Sequence, residues 1–356
     1  SFTLVVVMLG FGLVIPIFPF YIEALGAGGR ELGLLVATSA LLEFIFAPLW
    51  GGISDRSGRK PVLMIGIVGY GLSSLLFGLS TQLWMLFAAR ALSGVLSSAA
   101  LVTALAYVGD TTADEDRGKG MGTLGAAMAL GLILGPGLGG WLAGDSLSRP
   151  FFIAAALSLL ALLLIFLLLP ESLAAEKRSK GGGGKPSGAR WHELRAALWS
   201  PIGVLLLMVA LFSFALTNFE AVFGLYALQK YDYGPEQVGT ILMVIAIVST
   251  VGKATLTGPA TKRWGEAAVI KGSLLAGSVG CLALLLANST VTILLATAFF
   301  ILSTTLLRPA ALALISKRAT GGQGAAMGLS NSFISLGRIA GPVWAGFAFD
   351  ANVNYP

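Results

Sequence analysis

Charged residues, cysteine and histidine are scarce in this sequence. Only 11% of its 356 residues are charged, whereas soluble domains have roughly one quarter, so a water-soluble enzyme is excluded. The single cysteine, Cys281, excludes a disulfide framework and a cysteine-based metal cluster. The single histidine, His192, excludes His-pair zinc sites and argues against His-dependent acid–base catalysis. We therefore expect no enzyme activity, no bound metal and no cofactor.

Hydrophobic residues, in contrast, are abundant and lie in long stretches. They make up 56% of the chain, and a helix needs about 20 apolar residues to cross a bilayer. The stretches long enough to do so number eleven, at Phe2–Tyr21, Leu32–Trp50, Pro61–Leu79, Gln82–Val108, Met121–Leu142, Phe151–Leu169, Ile202–Leu228, Val238–Thr257, Ala267–Ala287, Val291–Ile315 and Gly324–Phe349. None alternates polar and apolar residues as a barrel strand does. The sequence predicts an all-α membrane protein.

The distribution of Lys and Arg between the predicted spans indicates the orientation. Most of these residues fall in the loops after spans 2, 4, 6, 8 and 10, whereas the opposite loops contain only Arg30, Arg149 and Lys230. Because cytoplasmic loops carry the excess of Lys and Arg, we expect a multi-pass protein of the plasma (inner) membrane with a cytoplasmic N-terminus. This collar of bases accounts for the net charge of +6, and we expect no nucleic-acid partner.

Two motifs repeat along the chain with nearly the same spacing. The Gly and Arg positions of 51–58 recur in 258–265, an offset of 207 residues, and 131–140 matches 337–346 at an offset of 206. The repeat predicts two parallel six-helix halves, an arrangement typical of transporters. It also predicts a twelfth helix that begins just beyond residue 356 and is therefore missing from this sequence.

The repeat divides the chain into three parts. We expect a six-helix bundle over residues 1–170, a cytoplasmic linker over 171–200, and a second bundle over 201–356 with five of its six helices present. The linker contains four consecutive glycines, 181–184, which is typical of a flexible connection.

The loop after span 2, Gly51–Leu63, resembles the signature motif of the major facilitator superfamily. The resemblance implies that Asp55 docks against the start of span 11 and that Arg59 reaches Asp110 at the end of span 4, which closes the cytoplasmic side. The residues assigned to this gate are Gly51, Asp55, Arg56, Gly58, Arg59 and Asp110. In the second copy Lys262 and Glu266 replace the acid and the base, so we expect a weaker lock there.

The stretch Gly131–Gly140 resembles the motif of the drug:proton antiporter group within this superfamily. The resemblance implies that its glycines allow spans 5 and 8 to pack closely and that Pro136 bends the helix. The gating residues in this motif are Gly131, Gly135, Pro136, Gly139 and Gly140. The alternative is that the glycines serve helix packing alone.

The chain as a whole resembles the multidrug efflux pumps of this group. The segments that carry the resemblance are Gly10–Pro16, Phe219–Ala221 with Leu225 and Tyr226, Leu307–Ala310, Gly322–Gly324 with Gly328 and Leu329, and Gly341 with Pro342. Arg90–Gly94 resembles a second motif of the superfamily. The resemblance implies that Glu220 is a proton-coupling acid and that Arg90 is a functional buried base. An acid that these pumps carry in span 10 is replaced here by Thr305, and Glu43 in span 2 is a candidate to take over its role.

Ionisable residues inside a membrane span are functional candidates because their burial is costly. The six that we single out in the predicted spans are Glu43, Arg90, Glu220, Lys253, Arg308 and Arg338. We assign proton coupling to Glu220 and Glu43, although Glu43 could instead pair with a base. The candidate substrate-binding or buried charged positions are Arg90, Asn218, Phe11, Phe44, Phe223, Arg308, Arg338 and Lys253, with core packing as the alternative for the aromatic residues.

These residues favour a proton-coupled secondary transporter that exports amphipathic drugs by alternating access. We expect protons, a small amphipathic substrate and membrane lipids as partners, and a monomer as the working unit. The excess of buried bases supports an alternative on the same fold, a flippase or exporter of an anionic lipid, glycolipid or sugar phosphate.

Overall fold

The computed structural model describes residues 2–112, 117–144, 146–173, 191–319 and 323–356, and every element within these ranges is helical. The helices are α1 (Phe2–Val14), α2 (Phe18–Ala24), α3 (Gly29–Ser57), α4 (Arg59–Gly78), α5 (Leu83–Leu92), α6 (Ser98–Thr111), α7 (Arg117–Leu142), α8 (Arg149–Leu168), α9 (Trp191–Leu198), α10 (Gly203–Tyr231), α11 (Pro235–Trp264), α12 (Glu266–Leu286), α13 (Thr290–Thr305), α14 (Leu307–Arg318) and α15 (Gln323–Ala351). The prediction of an all-α membrane protein is confirmed.

Three of the predicted spans are interrupted. In the first span a 3₁₀ turn, Ile15–Ile17, separates α1 from α2, where Pro16 and Pro19 cannot donate helix hydrogen bonds. In the fourth, a π-helical segment, Ser93–Ser97, separates α5 from α6, and in the tenth α13 and α14 meet at Leu306. Such breaks re-aim side chains within a span, and π segments occur frequently at functional sites.

Ten of the predicted spans are confirmed as helices long and apolar enough to cross a membrane in the described part of the chain. The eleventh stretch forms α15, which has the length but is not among those ten. Its buried positions include small or polar residues such as Ser330, Gly337 and Gly341, and it packs chiefly against α10 and α3. Its lower hydrophobicity fits a helix that faces other helices.

We divide the helices at the linker into a first group, α1–α8, and a second group, α9–α15. We call the end with the hairpins at Gly58 and Gly265 the basic end, and the end with the turns before α3 and α11 the opposite end. Toward the basic end each group has its own core, around Ile67 in the first group and around Leu206 in the second. At the opposite end one core contains Phe18, Ile22, Leu225 and Phe349 from both groups. The groups therefore meet at the opposite end and diverge toward the basic end.

Two matching helix crossings close the opposite end. A Cβ atom on Gly33 of α3 would collide with the carbonyl oxygen of Pro342 and lie 3.2 Å from the Cα of Gly346, both on α15. The same atom on Gly239 of α11 would collide with the carbonyl oxygen of Pro136 in α7. Each contact is shifted by 206 residues from the other, so the internal repeat is present in the packing.

The glycines of Gly131–Gly140 do not all face α11 as we expected. Gly131, Gly135 and Gly139 pack against the backbone of α1 within the first group, and Gly140 packs against α11. Residues four apart lie on one side of a helix, so the stripe 131, 135, 139 faces one neighbour and position 140 faces another. Three of the five predicted gating positions in this motif therefore serve packing inside one half.

The predicted linker 171–200 is only partly described, because residues 174–190 lie outside the described ranges. Its last part forms α9, whose Leu194 and Ala197 are buried in the core of the second group. This part of the linker therefore packs as a piece of the second bundle.

Candidate functional site

A cavity of about 1460 Å³ lies between the two groups of helices. Phe18 and Pro19 line it toward the opposite end, and Tyr107 and Thr111 line it at the basic end of α6. In the described part of the chain the two groups share core residues only toward the opposite end, so the cavity is accessible from the basic end.

All six ionisable residues that we singled out in the spans line this cavity. They are Glu43 on α3, Arg90 on α5, Glu220 on α10, Lys253 on α11, Arg308 on α14 and Arg338 on α15. The cavity wall thus carries four bases and two carboxylates. Both groups of helices contribute to it, so relative movement of the groups changes the surroundings of every one of these charges.

An ion pair across the cavity joins the two groups. Arg338 Nη2 lies 3.3 Å from Glu43 Oε2, and both side chains are partly exposed to the cavity. The structure therefore shows the pairing of Glu43 with a base that the sequence left open. Such a pair breaks when the groups separate at this level.

Glu220 is the second carboxylate of the cavity. Its side chain is exposed to the cavity and makes no hydrogen bond or ion pair with any described residue, while Arg338 and Lys253 lie within electrostatic reach. Asn218, two positions earlier, does not line the cavity, and its buried Oδ1 has no hydrogen-bond partner in the described part of the chain. Glu220 is thus the carboxylate of this cavity that is free to bind a proton or a cation.

Arg90 is held by an aromatic ring rather than by an acid. Its guanidinium carbon lies 4.4 Å from the centroid of the Phe18 ring, a cation–π geometry. Glu43 and Tyr70 lie within electrostatic reach, and Nε has no hydrogen-bond partner among the described residues. Sequence analysis did not identify Phe18 or Tyr70 as site residues. The available signal was Arg90 itself, because an arginine inside a span must face an aromatic ring or an acid.

The predicted aromatic positions divide into two kinds. Phe11 lines the cavity and stacks on Tyr70 with 4.1 Å between ring centroids. Phe223 is 3% exposed and packs against Phe219 in a core, and Phe44 lies half-buried on α3; neither lines the cavity. Phe44 and Phe223 are therefore corrected to packing positions, whereas Phe219, adjacent to Glu220, does line the cavity.

The hairpin between α3 and α4 is organised by Arg59. Its guanidinium donates to Asp110 Oδ2 at 2.8 Å, to Asp55 Oδ1 at 2.5 Å and to Ser54 Oγ at 2.8 Å. The predicted contact between Arg59 and Asp110 is confirmed. Asp55 pairs with Arg59, and no hydrogen bond from Asp55 to α15 is present among the described residues, with 320–322 before α15 lying outside them. Among the described residues, the expected contact of Asp55 with the start of span 11 is therefore not formed in this conformation, whose basic end is open.

Of the remaining residues of this predicted gate, Gly58 forms the turn itself. Gly58 has φ of 106°, a conformation that side chains other than glycine rarely adopt. Gly51 lies in the last part of α3, and Arg56 is exposed on the final turn of that helix.

The second hairpin repeats the first with its charges reversed. Glu266 at the start of α12 forms an ion pair with Lys317 on α14. Glu266 and Lys317 lie 207 residues after Arg59 and Asp110, respectively. The second hairpin therefore has an ion pair with the charges exchanged, and the partner of Glu266 is Lys317 rather than Lys262 of its own hairpin.

Glu171 connects the end of α8 to the start of α4. Its carboxylate accepts hydrogen bonds from the backbone N–H groups of Arg59 at 2.8 Å and Lys60 at 3.2 Å. Desolvation acts to raise the pKa of Glu171, but the hydrogen bonds from the backbone N–H groups of Leu173, Arg59 and Lys60 outweigh it and hold the pKa below its ordinary value. A carboxylate at a helix N-terminus is stabilised further by the helix dipole.

The sequence profile of the Major Facilitator Superfamily matches residues 1–347. The chain belongs to this superfamily. Its sequence is 33% identical over 351 residues to Multidrug resistance protein 2 of Bacillus subtilis, which covers 99% of this chain and 88% of that protein. It is 29% identical over 360 residues to the Quinolone resistance protein NorA of Staphylococcus aureus, which covers 100% of this chain and 90% of that protein.

Solved structures of this superfamily have the same fold. The human organic anion transporter MFSD10 (TETRAN) superimposes with a TM-score of 0.72 at 22% identity, covering 99% of this chain and 93% of that one. A bacterial homologue of the human lysosomal transporter Spinster, in an inward-facing and unoccupied conformation, superimposes with a TM-score of 0.80 at 16% identity, covering 98% of this chain and 81% of that one. At these identities the likeness concerns the fold. This major facilitator protein is an integral, multi-pass membrane protein.

Proposed function

We propose that this protein is a proton-coupled secondary transporter that exports amphipathic drugs by alternating access. The multidrug and quinolone resistance proteins to which it is similar over nearly its whole length support the cargo. The basic loops support a location in the plasma (inner) membrane, with the N-terminus and the basic end facing the cytoplasm. The cavity lies within one chain, which supports a monomer as the working unit, with protons, membrane lipids and the drug as its partners.

The observation that carries the proposal is the carboxylate of Glu220 on the cavity wall, which has no hydrogen-bond or ion-pair partner among the described residues. An ionisable group inside a membrane protein is costly, so one that faces a cavity without a partner is typical of a proton or ion pathway. Protonation of Glu220 from outside removes its negative charge and releases a cationic drug. Deprotonation toward the cytoplasm restores the site.

Glu43 is the proposed second coupling acid. Its ion pair with Arg338 spans the cavity, and Arg338 also lies within electrostatic reach of Glu220. The two carboxylates therefore compete for one guanidinium. When a drug or a proton neutralises Glu220, Arg338 favours Glu43 and the two groups are drawn together across the cavity.

The proposed substrate wall consists of Phe11 and Phe219 for apolar contact and of the bases Arg90, Lys253, Arg308 and Arg338. Arg90 is fixed by Phe18 and therefore has a defined position. Aromatic rings and a carboxylate together recognise amphipathic cations, and Glu220 lies next to Phe219 in the sequence.

Gating follows from the two ends of the bundle. With the groups in contact at the opposite end, the cavity is open to the cytoplasm in the proposed orientation, which is the drug-loading conformation of an exporter. The crossings at Pro136/Gly140 and Pro342/Gly346 separate when the opposite end opens. The hairpins at Gly51–Lys60 and 258–266 then close the basic end.

Transport by purified protein in liposomes tests the proposal. An imposed pH gradient should drive movement of a fluorescent cationic amphiphile such as ethidium against opposite movement of protons, read with an internal pH dye. Glu220→Gln should abolish the dependence on the pH gradient, and Glu43→Gln should weaken it. Glu236→Gln removes an exposed acid outside the cavity and serves as the matched control. Wild-type coupling in the double variant of Glu220 and Glu43 would refute the proposal.

A further inference from the structure

Two bases on one wall of the cavity have no hydrogen-bond or ion-pair partner among the described residues. Lys253 on α11 and Arg308 on α14 are both exposed to the cavity and lie within electrostatic reach of each other. Neither makes a hydrogen bond or an ion pair with any residue in the described part of the chain. The two like charges therefore repel each other without a fixed counter-ion between them.

The other charges of the cavity do not compensate this pair. Glu43 is engaged by Arg338 and also attracts Arg90. Glu220 is the remaining carboxylate of the wall, it attracts Lys253, and Arg338 adds further positive charge near Arg308. Uncompensated charge inside the membrane-spanning part of a protein is unfavourable. This wall of the cavity is therefore electrostatically incomplete without an anion.

The surroundings of the pair favour a ligand with an apolar body. Ser249 and Thr250 lie on the same helix as Lys253, and Leu242 and Ile245 line the cavity on earlier turns of that helix. Phe212 on α10 also lines the cavity. The cavity volume of about 1460 Å³ exceeds that of most drug-sized sites, which are roughly 300–1,000 Å³, so a ligand can occupy this wall while Glu220 remains accessible.

We propose that Lys253 and Arg308 form a subsite for the carboxylate group of amphipathic substrates. Arg308 supplies a planar fork that matches a carboxylate with two parallel hydrogen bonds, and Lys253 supplies a mobile point charge. The inference rests on the proposed function, because it places part of the substrate in the same transport cavity. It extends the range of cargo from cations to anions and zwitterions whose carboxylate binds here, away from Glu220.

Three fluorescent probes that differ only in their head group test the subsite. They are 4-(1-pyrenyl)butanoate, 4-(1-pyrenyl)butanol and 1-pyrenebutylamine, which share one apolar body and are anionic, neutral and cationic. Binding is measured by equilibrium dialysis of the protein in zwitterionic lipid nanodiscs, with empty nanodiscs as the blank. We expect the butanoate to bind about tenfold or more tightly than the butanol, as two charge-assisted hydrogen bonds provide.

The variants separate the subsite from the rest of the cavity. In the double variant Lys253→Gln with Arg308→Gln, butanoate binding should fall to the level of the butanol, while butanol binding stays unchanged and reports an intact cavity. Lys253→Arg with Arg308→Lys keeps both charges and should retain at least part of the preference. Lys271→Gln removes an exposed base outside the cavity and should change nothing. If the Gln double variant also loses butanol binding, its cavity is not intact and the charge-retaining double variant is used instead. If that variant binds butanoate no more tightly than butanol, the proposed subsite is wrong.

The remaining outcomes distinguish a lipid head group from a soluble substrate as the source of the anion, and they separate the subsite from the proposed transport function. Loss of butanoate binding when anionic phospholipid is added to the nanodiscs would assign the subsite to a lipid head group and overturn its assignment to a soluble substrate. Equal binding of all three probes, or butanoate binding that survives removal of both bases, would overturn the inference while leaving drug–proton coupling intact. Selective butanoate binding in a protein without drug-dependent proton flux would support the subsite and refute the proposed function.

Discussion

Asp350, near the end of α15, accepts a hydrogen bond from the backbone N–H of Gly29, the first residue of α3, at 2.9 Å. Its second oxygen accepts from the N–H of Arg30 at 3.0 Å. The carboxylate of one half thus caps the helix N-terminus of the other half, where the unpaired N–H groups and the helix dipole favour a negative charge. This contact lies at the opposite end and holds it closed, so it stabilises the conformation that opens at the basic end.

Substitution of Asp350 by Asn should shift the protein toward the conformation that is open at the opposite end. The loss of the charge and of one acceptor costs about 1–2 kcal/mol, which corresponds to a change in population of roughly tenfold. The measurement uses spin labels at Thr81 and Asn288, which are exposed residues of the two halves at this end, in a Cys281→Ser background. Pulsed electron paramagnetic resonance then gives the distance between the two labels. Asp350→Glu keeps the charge and should stay near wild type, whereas identical distance distributions for the wild type and Asp350→Asn would show that the cap does not act as a latch.

Adjacent glycines of α7 should respond differently to the same substitution. Gly140→Ala places a methyl group against Pro235 of the other half, so it should hinder closure of the opposite end and slow transport. Gly139→Ala places it against the Leu13 carbonyl within the same half, so it should lower stability by about 1–3 kcal/mol without changing which end is open. The spin-label distances and the thermal unfolding temperature separate the two effects.

Gly122 provides the control for this pair. A Cβ atom there meets nothing within 4 Å, so Gly122→Ala should leave distances and unfolding temperature at wild-type values. The matching crossing at Gly346 should reproduce the result of Gly140. Equal behaviour of the Gly139 and Gly140 variants would contradict the assignment of one to packing and the other to the gate.

The two hairpin ion pairs should differ in their contribution to stability. Arg59 is buried and donates to three side chains, so Arg59→Gln should lower the free energy of unfolding by about 1.5–3 kcal/mol. Lys317 is exposed, so Glu266→Gln should lower the free energy of unfolding by less than Arg59→Gln does. Thermal unfolding of both variants in detergent checks the order. The double variant Glu266→Lys with Lys317→Glu exchanges the charges and should restore the stability that Glu266→Lys alone loses. An equal loss of stability in the single and the double variant would show that the ion pair does not contribute.

Glu171 should make the stability of the first hairpin depend on pH. Its pKa is lower in the folded protein than in the unfolded chain, so its stabilising effect is present above the unfolded pKa of about 4.3 and is lost as the pH falls through the lower folded value. The difference in unfolding temperature between the wild type and Glu171→Gln should therefore be full at neutral pH and disappear in acid. A difference that is constant with pH would mean that the cap depends on shape and not on charge.

Much of the fold follows from the sequence because the bilayer restricts the solutions. A polar backbone in a membrane must be satisfied by its own helix, so long apolar stretches are sufficient to locate ten spans. The breaks at Ile15–Ile17 and Ser93–Ser97 were not predicted. Proline marks the first of them, but the π segment has no comparable signal in the sequence and depends on packing against α3 and α4.

The site was predicted less completely, since it depends on which face of each helix meets the cavity. The cost of burying charge was sufficient to place the six ionisable residues. Phe44 and Phe223 were assigned to the cavity because the sequence does not show whether an aromatic residue in a span faces the cavity or the packed side of its helix. Lys317 was overlooked, although the offset of 207 applied to Asp110 leads directly to it. Glu43 and Arg338, which form an ion pair, are 295 residues apart in the sequence, and no local sequence pattern indicates such a partner.

The most direct test of the account is the proton stoichiometry of drug binding. Titration of the detergent-solubilised protein with a cationic drug in weakly buffered solution, near the pH where binding is half-maximal, should release protons because the drug and the proton compete for Glu220. The release should disappear in Glu220→Gln and persist in Glu236→Gln. Drug binding by the wild type without proton release, or an equal release in Glu220→Gln, would contradict the assignment of Glu220 as the coupling carboxylate.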